Sequence, residues 1–149
     1  MNPIEIRKAR GEDAPRIVAL LEQLGYDATP AETAWRIAAL NDSIDADCFV
    51  AVAEGGEIIA CMQVIVETRL AEGRFAEIGS LVVADSMRGK QVGRRMVDRA
   101  VEWAGEKGQV KLRVRCNAKR NRAHHFYRSL AFSDVKTQIV FECGSRGTP

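Results

Sequence analysis

Apolar residues recur at Val92, Met96, Val97, Ala100, Val101, Trp103 and Ala104, while Arg94, Arg95, Asp98, Arg99, Glu102 and Glu106 fill the remaining positions. That 3.6-residue period predicts a long amphipathic helix, which Gly105 and Gly108 bring to a stop. Just before it, Arg74 to Val83 reads as a strand, and Gly79 inside that strand predicts a bulge or a close approach to the backbone. Ahead of these, Pro3 to Ala9 alternates as a short strand. Asp13-Ala14-Pro15 opens a helix with Ile17, Val18, Leu20, Leu21 and Leu24 on its apolar face, ended by Gly25. Thr29-Pro30-Ala31-Glu32 opens another, with Thr29 as N-cap and Glu32 closing a capping box, and this helix runs to about Leu40.

Two apolar runs, Phe49 to Ala53 and Ile58 to Met62, flank Glu54-Gly55-Gly56-Glu57 and predict a hairpin whose second arm continues toward Glu67. After the long helix, Val110, Leu112, Val114 and Cys116 alternate with Lys111, Arg113 and Arg115, a strand with one wet or anion-facing side. Ala123, Phe126, Tyr127 and Leu130 mark a short helix, and Phe132 to Val135 and Gln138 to Cys143 read as two closing strands. The strand-helix-strand through the long helix demands a right-handed crossover between parallel neighbours. The expected fold is therefore α/β with a mixed, mostly antiparallel sheet of about seven strands.

The totals narrow the function classes. The chain has 149 residues, with 46% hydrophobic and 28% charged, which is the expectation for one domain spanning 1–149. A net charge of +2 gives no field suited to nucleic acid, and the basic stretches lack interleaved aromatic residues for stacking. Apolar runs are too short to span a membrane and Met1-Asn2-Pro3-Ile4-Glu5 has no signal-peptide architecture, so a cytoplasmic location is expected. Cys48, Cys61, Cys116 and Cys143 form no CxxC pair, which fits reduced thiols rather than a disulfide framework or a metal site. His124 and His125 are adjacent on a helix and point about 100° apart, so they cannot share a ligand; one solvated and one structural His is expected.

The chemistry lies in the turn before the long helix. Arg88-Gly89-Lys90-Gln91-Val92-Gly93 offers unpaired backbone N–H groups at a positive helix end, a setting for phosphate. No Gly-Lys is followed by Ser or Thr, and no GxGxxG is present, so neither a triphosphate loop nor a dinucleotide fingerprint is met. What remains resembles the pyrophosphate loop of the GNAT acetyltransferase superfamily: Arg or Gln, two residues, Gly, one residue, Gly or Ala, with Gln91 where the pattern has its first Gly. The stretch from Arg115 to Phe132 is similar to the family's strand ending at Asn, followed by a helix bearing Ala, two residues and Phe-Tyr. Ala131 replaces the usual Gly after that helix, at a cost of up to about 1 kcal/mol if it adopts positive φ. The spacing of Ala123-His124 before Phe126-Tyr127 is most similar to small-amine acetyltransferases, including the aminoalkylphosphonate acetyltransferase group.

The resemblance implies a GNAT-like sheet with helices on both faces and a splayed parallel strand pair binding acetyl-CoA. It implies pantetheine along the edge of Leu81, Val82 and Val83, and pyrophosphate at the N–H groups of Gly89, Lys90, Gln91, Val92, Gly93 and Arg94, aided by Arg88. Asn117 would bond pantetheine, and Arg120 would join the binding set; no metal is implied. Tyr127 matches the family's general acid, the alternative being a half-buried aromatic bonded to a backbone carbonyl. Glu77 is the candidate base acting through water; alternatively it attracts a substrate ammonium or pairs with an Arg. The expected activity is acetyl-CoA-dependent N-acetylation of a small-molecule amine, with a peptide or protein amine, or a non-catalytic acyl-CoA-binding module, as the alternatives. Homodimerisation is expected by analogy.

Overall fold

The computed structural model describes residues 3–89 and 91–144. The chain divides into two compact units, Met1–Arg115 and Cys116–Pro149.

The first unit is built on a five-stranded sheet in the order β1-β2-β3-β4-β5, formed by β1 (Ile4–Lys8), β2 (Ala46–Ala53), β3 (Ile58–Arg69), β4 (Gly73–Val83) and β5 (Leu112–Val114). β1 to β4 pair antiparallel, and β4 pairs with β5 in parallel through Ala76↔Leu112, Glu77↔Arg113 and Ile78↔Val114. The mixed, mostly antiparallel class expected from the chain is thus present. Helix α3 (Val92–Glu106) makes the crossover between the parallel pair.

Side chains of paired residues share a face, so the register sorts the sheet into two sides. Cys48, Val50, Cys61 and Val82 pack in one core with Ile17 and Leu20 of α1 (Ala14–Glu22) and Ile37 of α2 (Pro30–Asp42). The alternate residues turn to α3, where Arg99 lies over the Phe49 ring at 4.7 Å and Trp103 Nε1 donates to Asp47 Oδ2 at 2.8 Å. Helices therefore cover both faces. Each starts and stops for a local reason. Glu32 N–H donates to Thr29 Oγ1 at 3.1 Å and Thr29 N–H to Glu32 Oε1 at 3.0 Å, the capping box the sequence predicts. Gly25 and Gly108 take φ of +83° and +73° past the ends of α1 and α3.

Gly79 is the bulge residue: β3 pairs Gln63 with Ser80 but Val64 with Ile78, leaving Gly79 extra on β4. A Cβ at Gly79 would lie 3.2 Å from Gln63 Cδ, so the Gln63 amide occupies the space that glycine leaves.

Asp13 is buried and takes two bonds from Arg7, at 2.8 and 3.0 Å, and one from Arg10 N–H. The Arg7 hydrogen bonds hold its carboxyl below the usual 3.8 against the opposing pull of burial. A carboxyl with a depressed folded-state pKa stabilises above its unfolded value and loses that contribution as pH falls through the folded one. Asp13→Asn is therefore expected to cost about 1–3 kcal/mol at pH 7. In urea melts the difference from the parent chain should narrow when the experiment is repeated at pH 3.

The second unit contains α4 (Asn121–Ser129). Its C-terminus closes with Phe132 N–H donating to Tyr127 C=O at 3.1 Å and Ala131 at φ 69°. The positive φ on which the cost of the missing Gly was conditional is thus present. Replacing Ala131 by Gly removes the Cβ strain but adds unfolded-state entropy, for a net gain of about 0.5 kcal/mol, detectable as a small rise in Tm.

The two closing strands are a correction: five strands occur among the described residues rather than about seven, and residues 132–144 form no ladder. Alternation describes one chain, whereas a strand needs a partner; Val135, Ile139, Val140 and Phe141 are exposed. β5 is short for the same reason, with Val110 fully exposed ahead of it. Among the described residues, no helix is long and apolar enough to cross a membrane and no cluster of three metal-ligating side chains occurs.

Candidate active site

In the first unit the site is organised by the point where the parallel pair ends. Pairing of β4 with β5 stops at Ile78, but β4 runs on to Val83. Ala84 N–H donates to Ile59 C=O at 2.8 Å on the β3 side, and hydrogen-bonding direction alternates along a strand. Leu81 and Val83 therefore turn their main-chain groups to the side that β5 has left. Val82 points its side chain into the α1–α2 core.

Gln23, at the end of α1, is a residue that sequence reasoning missed. Its amide bridges the end of β4: Nε2 donates to Val83 C=O at 3.0 Å and Oε1 accepts from Asp85 N–H at 3.1 Å. The bridge fixes the exit of the strand into the turn before α3. A single exposed Gln at a helix end carries no periodic signal that could have flagged it.

In that turn Gly89 has φ +76° and Gln91 φ +68°. Gln91 is the N-cap of α3, no side chain caps the helix, and its first turn holds no acid. Val92 is buried, so its side chain anchors the turn while its N–H belongs to the helix end. Gly93 is partly buried and Arg94 is exposed in the first turn. Arg88 is not a free cation, because its Nη2 pairs with Asp85 Oδ1 at 2.8 Å. Lys90 lies outside the described residues.

Glu77 is among the few buried charged residues, on β4 two residues before Gly79. Its Oε1 accepts from Arg115 Nε at 2.9 Å. Arg113, the register partner of Glu77, lies over the Phe75 ring at 4.2 Å and donates to Glu72 Oε2 at 2.7 Å. The polar side of this stretch, read from the sequence as wet or anion-facing, thus gives Arg113 of β5, and Arg115 one residue past its end, to carboxylates. Alternation shows which residues share a face, but not that acids lie opposite them.

In the second unit, Asn117 Oδ1 accepts from Lys119 N–H at 2.9 Å, and its carbonyl accepts from Arg120 N–H and bonds His124 Nε2 at 3.0 Å. Asn117 therefore shapes the turn that starts α4, and Arg120 is exposed there. His124 is the structural histidine and His125 the exposed one. The Tyr127 ring is half-buried, 5.0 Å from Phe126 in an edge contact and 5.5 Å from Phe132. Burial pushes its phenol pKa upward, Cys116 adds to the rise and Arg120 opposes it. Such a phenol stays protonated across the physiological range and can donate a proton without losing it to solvent. Burial likewise pushes the thiols of Cys48 and Cys61 up to about 12, so neither supplies a thiolate nucleophile.

The profile of the acetyltransferase (GNAT) family matches residues 14–132 of the chain. None of the curated proteins matches it. Among solved structures, glucosamine-6-phosphate N-acetyltransferase from Arabidopsis thaliana is 24% identical with a TM-score of 0.80, covering 94% of this chain and 98% of that one. An aminoglycoside N-acetyltransferase, AAC(6')-Iy, in complex with CoA is 14% identical with a TM-score of 0.84, covering 96% of each chain. A transcriptional regulator from Bacillus halodurans is 22% identical with a TM-score of 0.83, covering 95% of this chain and all of that one. These likenesses show a shared fold.

Proposed function

Because the chain belongs to the acetyltransferase (GNAT) family, we propose that it transfers acetyl from acetyl-CoA directly to the amine of a small molecule. The observation that carries this reading is the end of the parallel pair at Ile78 with β4 continuing to Val83, one turn upstream of an acid-free, uncapped helix N-terminus. The main-chain groups of Leu81 and the N–H of Val83, whose carbonyl Gln23 already holds, suit the amides of pantetheine as an added strand. The N–H groups of Gly89 and of Gln91 to Arg94 suit its pyrophosphate. The solved neighbours that are N-acetyltransferases, one of them bound to CoA, support the same reading.

Bound acetyl-CoA supplies the reactive thioester. Glu77 takes a proton from the acceptor ammonium, directly or through water, so that the nitrogen lone pair can form the C–N bond. Arg115 occupies Oε1 of Glu77 and orients the carboxylate. Tyr127 gives a proton to sulfur as the C–S bond breaks, and the nitrogen sheds its second proton to restore the phenol. One proton is released for each ammonium acetylated. A small amine related to aminoalkylphosphonates is the acceptor class that the resemblance of the Ala123 to Tyr127 stretch to that group implies.

The test is release of the CoA thiol from acetyl-CoA with polyamines, aminoalkylphosphonates, amino acids, arylalkylamines and short peptides. Turnover with the small amines is expected. Silence from all of them while acetyl-CoA still raises the Tm would replace the transferase by a binding module.

A further inference from the structure

The side chain of Gln23 does for the edge of β4 what a neighbouring strand would do. In a parallel pair, a residue donates its N–H to a carbonyl on the facing strand, and its own C=O accepts from the N–H two residues further along. The Gln23 amide reproduces that pattern: Nε2 donates to Val83 C=O at 3.0 Å and Oε1 accepts from Asp85 N–H at 3.1 Å. It is offered from a fixed base. Gln23 keeps helical backbone at the end of α1, its own N–H bonded to Leu20 C=O at 3.1 Å, and Leu20 is buried in the core. Asp85 in turn holds Arg88 through Oδ1, so the closure runs on into the turn before α3.

The edge of β4 is therefore covered at both ends, by β5 up to Ile78 and by the Gln23 amide from Val83 C=O onward. Among the described residues, the groups left between them are the N–H and C=O of Leu81 and the N–H of Val83, a donor, an acceptor and a donor. Such a triplet takes one added strand in one register. Because alternate residues face an edge, an added strand shifts in steps of two residues, about 6.6–6.8 Å. Were Val83 C=O and Asp85 N–H also open, the same strand could pair one step further from Ile78.

We infer that Gln23 is a positioning residue for acetyl-CoA, resting on the cofactor site proposed above: its amide occupies the next step of the β4 edge, so that pantetheine adds only at Leu81 and Val83 N–H. The consequence is a fixed depth for the thioester. A cofactor shifted by one step would withdraw its acetyl group from Glu77 by about 6.6–6.8 Å, too far for transfer. A residue outside the acid, the base and the pyrophosphate turn thereby sets where the reaction takes place.

The experiment reads binding first. Amide hydrogen exchange and amide chemical shifts are followed in the free protein, with CoA and with acetyl-CoA, for the parent chain, Gln23→Leu and Gln23→Glu, with a melt to verify folding. In the parent, CoA is expected to slow exchange at Leu81 and Val83 N–H by about 10-fold or more, whereas Asp85 N–H is slow already and changes by less than about threefold. Residues whose shifts differ between CoA and acetyl-CoA mark the acetyl group, expected near Ile78 to Leu81. Gln23→Leu should release Asp85 N–H in the free protein, let CoA slow it, and spread the acetyl-marked shifts toward Val83. Gln23→Glu, which keeps an oxygen for Asp85 N–H, should leave that amide slow. Calorimetric Kd values for CoA should stay within about threefold, while kcat of Gln23→Leu, with any amine of the panel above that is turned over, falls by about 10- to 100-fold. Faster exchange at Asp85 N–H when CoA binds the parent means that the cofactor displaces Gln23, and overturns the inference. Acetyl-marked shifts that stay in place in Gln23→Leu overturn it as well, leaving the cofactor site intact. If CoA alters no amide of β4 in the parent, the cofactor site falls and this inference with it. Absence of thiol release with every amine overturns the transferase reading alone, since exchange and shifts still decide the role of Gln23.

Discussion

Tyr127→Phe is expected to lower kcat by about 10²- to 10⁴-fold, the range for a general acid, while acetyl-CoA binding is largely kept. The substitution deletes one oxygen and keeps the ring, so the contacts with Phe126 and Phe132 survive and the fold of α4 should not change. The pH profile separates this role from a packing role. The phenol pKa is raised, chiefly by burial, so the acid form persists above its ordinary value of 10. The alkaline side of the parent kcat profile should therefore show no fall assignable to Tyr127 below pH 10. A stopped-flow or steady-state thiol assay from pH 6 to 10, with a parallel melt to verify folding, checks both statements. A loss under threefold in kcat would leave Tyr127 as an aromatic packing residue.

How far the sequence foretold the site depended on whether the signal lay in one segment or needed two. The Thr29 capping box, the span of α3 and the stops at Gly25 and Gly108 are local, and the structure places them as expected, whereas Gly105, read as a stop, lies inside α3, which runs on to Glu106. Gly79 was legible because a glycine inside an apolar strand has few uses, and the register shift to Ser80 shows which one applies. The departure at Ala131 from a helix-end pattern marked where a left-handed residue would carry a cost, and Ala131 has φ 69°. Contacts across strands were not legible. The alternation of Lys111 to Cys116 gave the polar face of β5, but only the pairing of Glu77 with Arg113 brings Arg115 to a buried carboxylate. The same gap hid Gln23, which joins positions 60 residues apart. It also made residues 132–144 look like strands, since β-type alternation cannot report that no neighbour is paired with it.

Trp103→Ala is expected to cost about 3–5 kcal/mol, the range for removing a fully buried large aromatic side chain. Trp103 is the largest of the fully buried side chains, and it locks α3 to the sheet by two different means. Its ring fills the space beneath the helix, with Lys107 Nζ 5.7 Å from the ring centroid, and its Nε1 donates to Asp47 Oδ2. Asp47 is itself buried and has Lys8 Nζ at 3.3 Å from its other oxygen, so removing the indole leaves an enclosed carboxylate with an exposed lysine as its remaining side-chain partner. That loss adds to the cavity and pushes the cost toward the upper end. Against a total stability of about 5–15 kcal/mol, such a change removes a large fraction of the folding free energy. Urea melts monitored by far-UV circular dichroism give the value; the m-value should stay the same if the folded state is merely weakened. The loss reaches function because α3 begins at the turn proposed to hold pyrophosphate, and a helix loosened from the sheet no longer presents Gln91 to Arg94 in one arrangement. Saturating acetyl-CoA should therefore restore part of the lost stability through binding to the folded state alone. Trp103→Phe, which keeps most of the volume but loses the N–H, separates the two means: a cost under about 1 kcal/mol would show that packing rather than the Asp47 bond holds α3 in place.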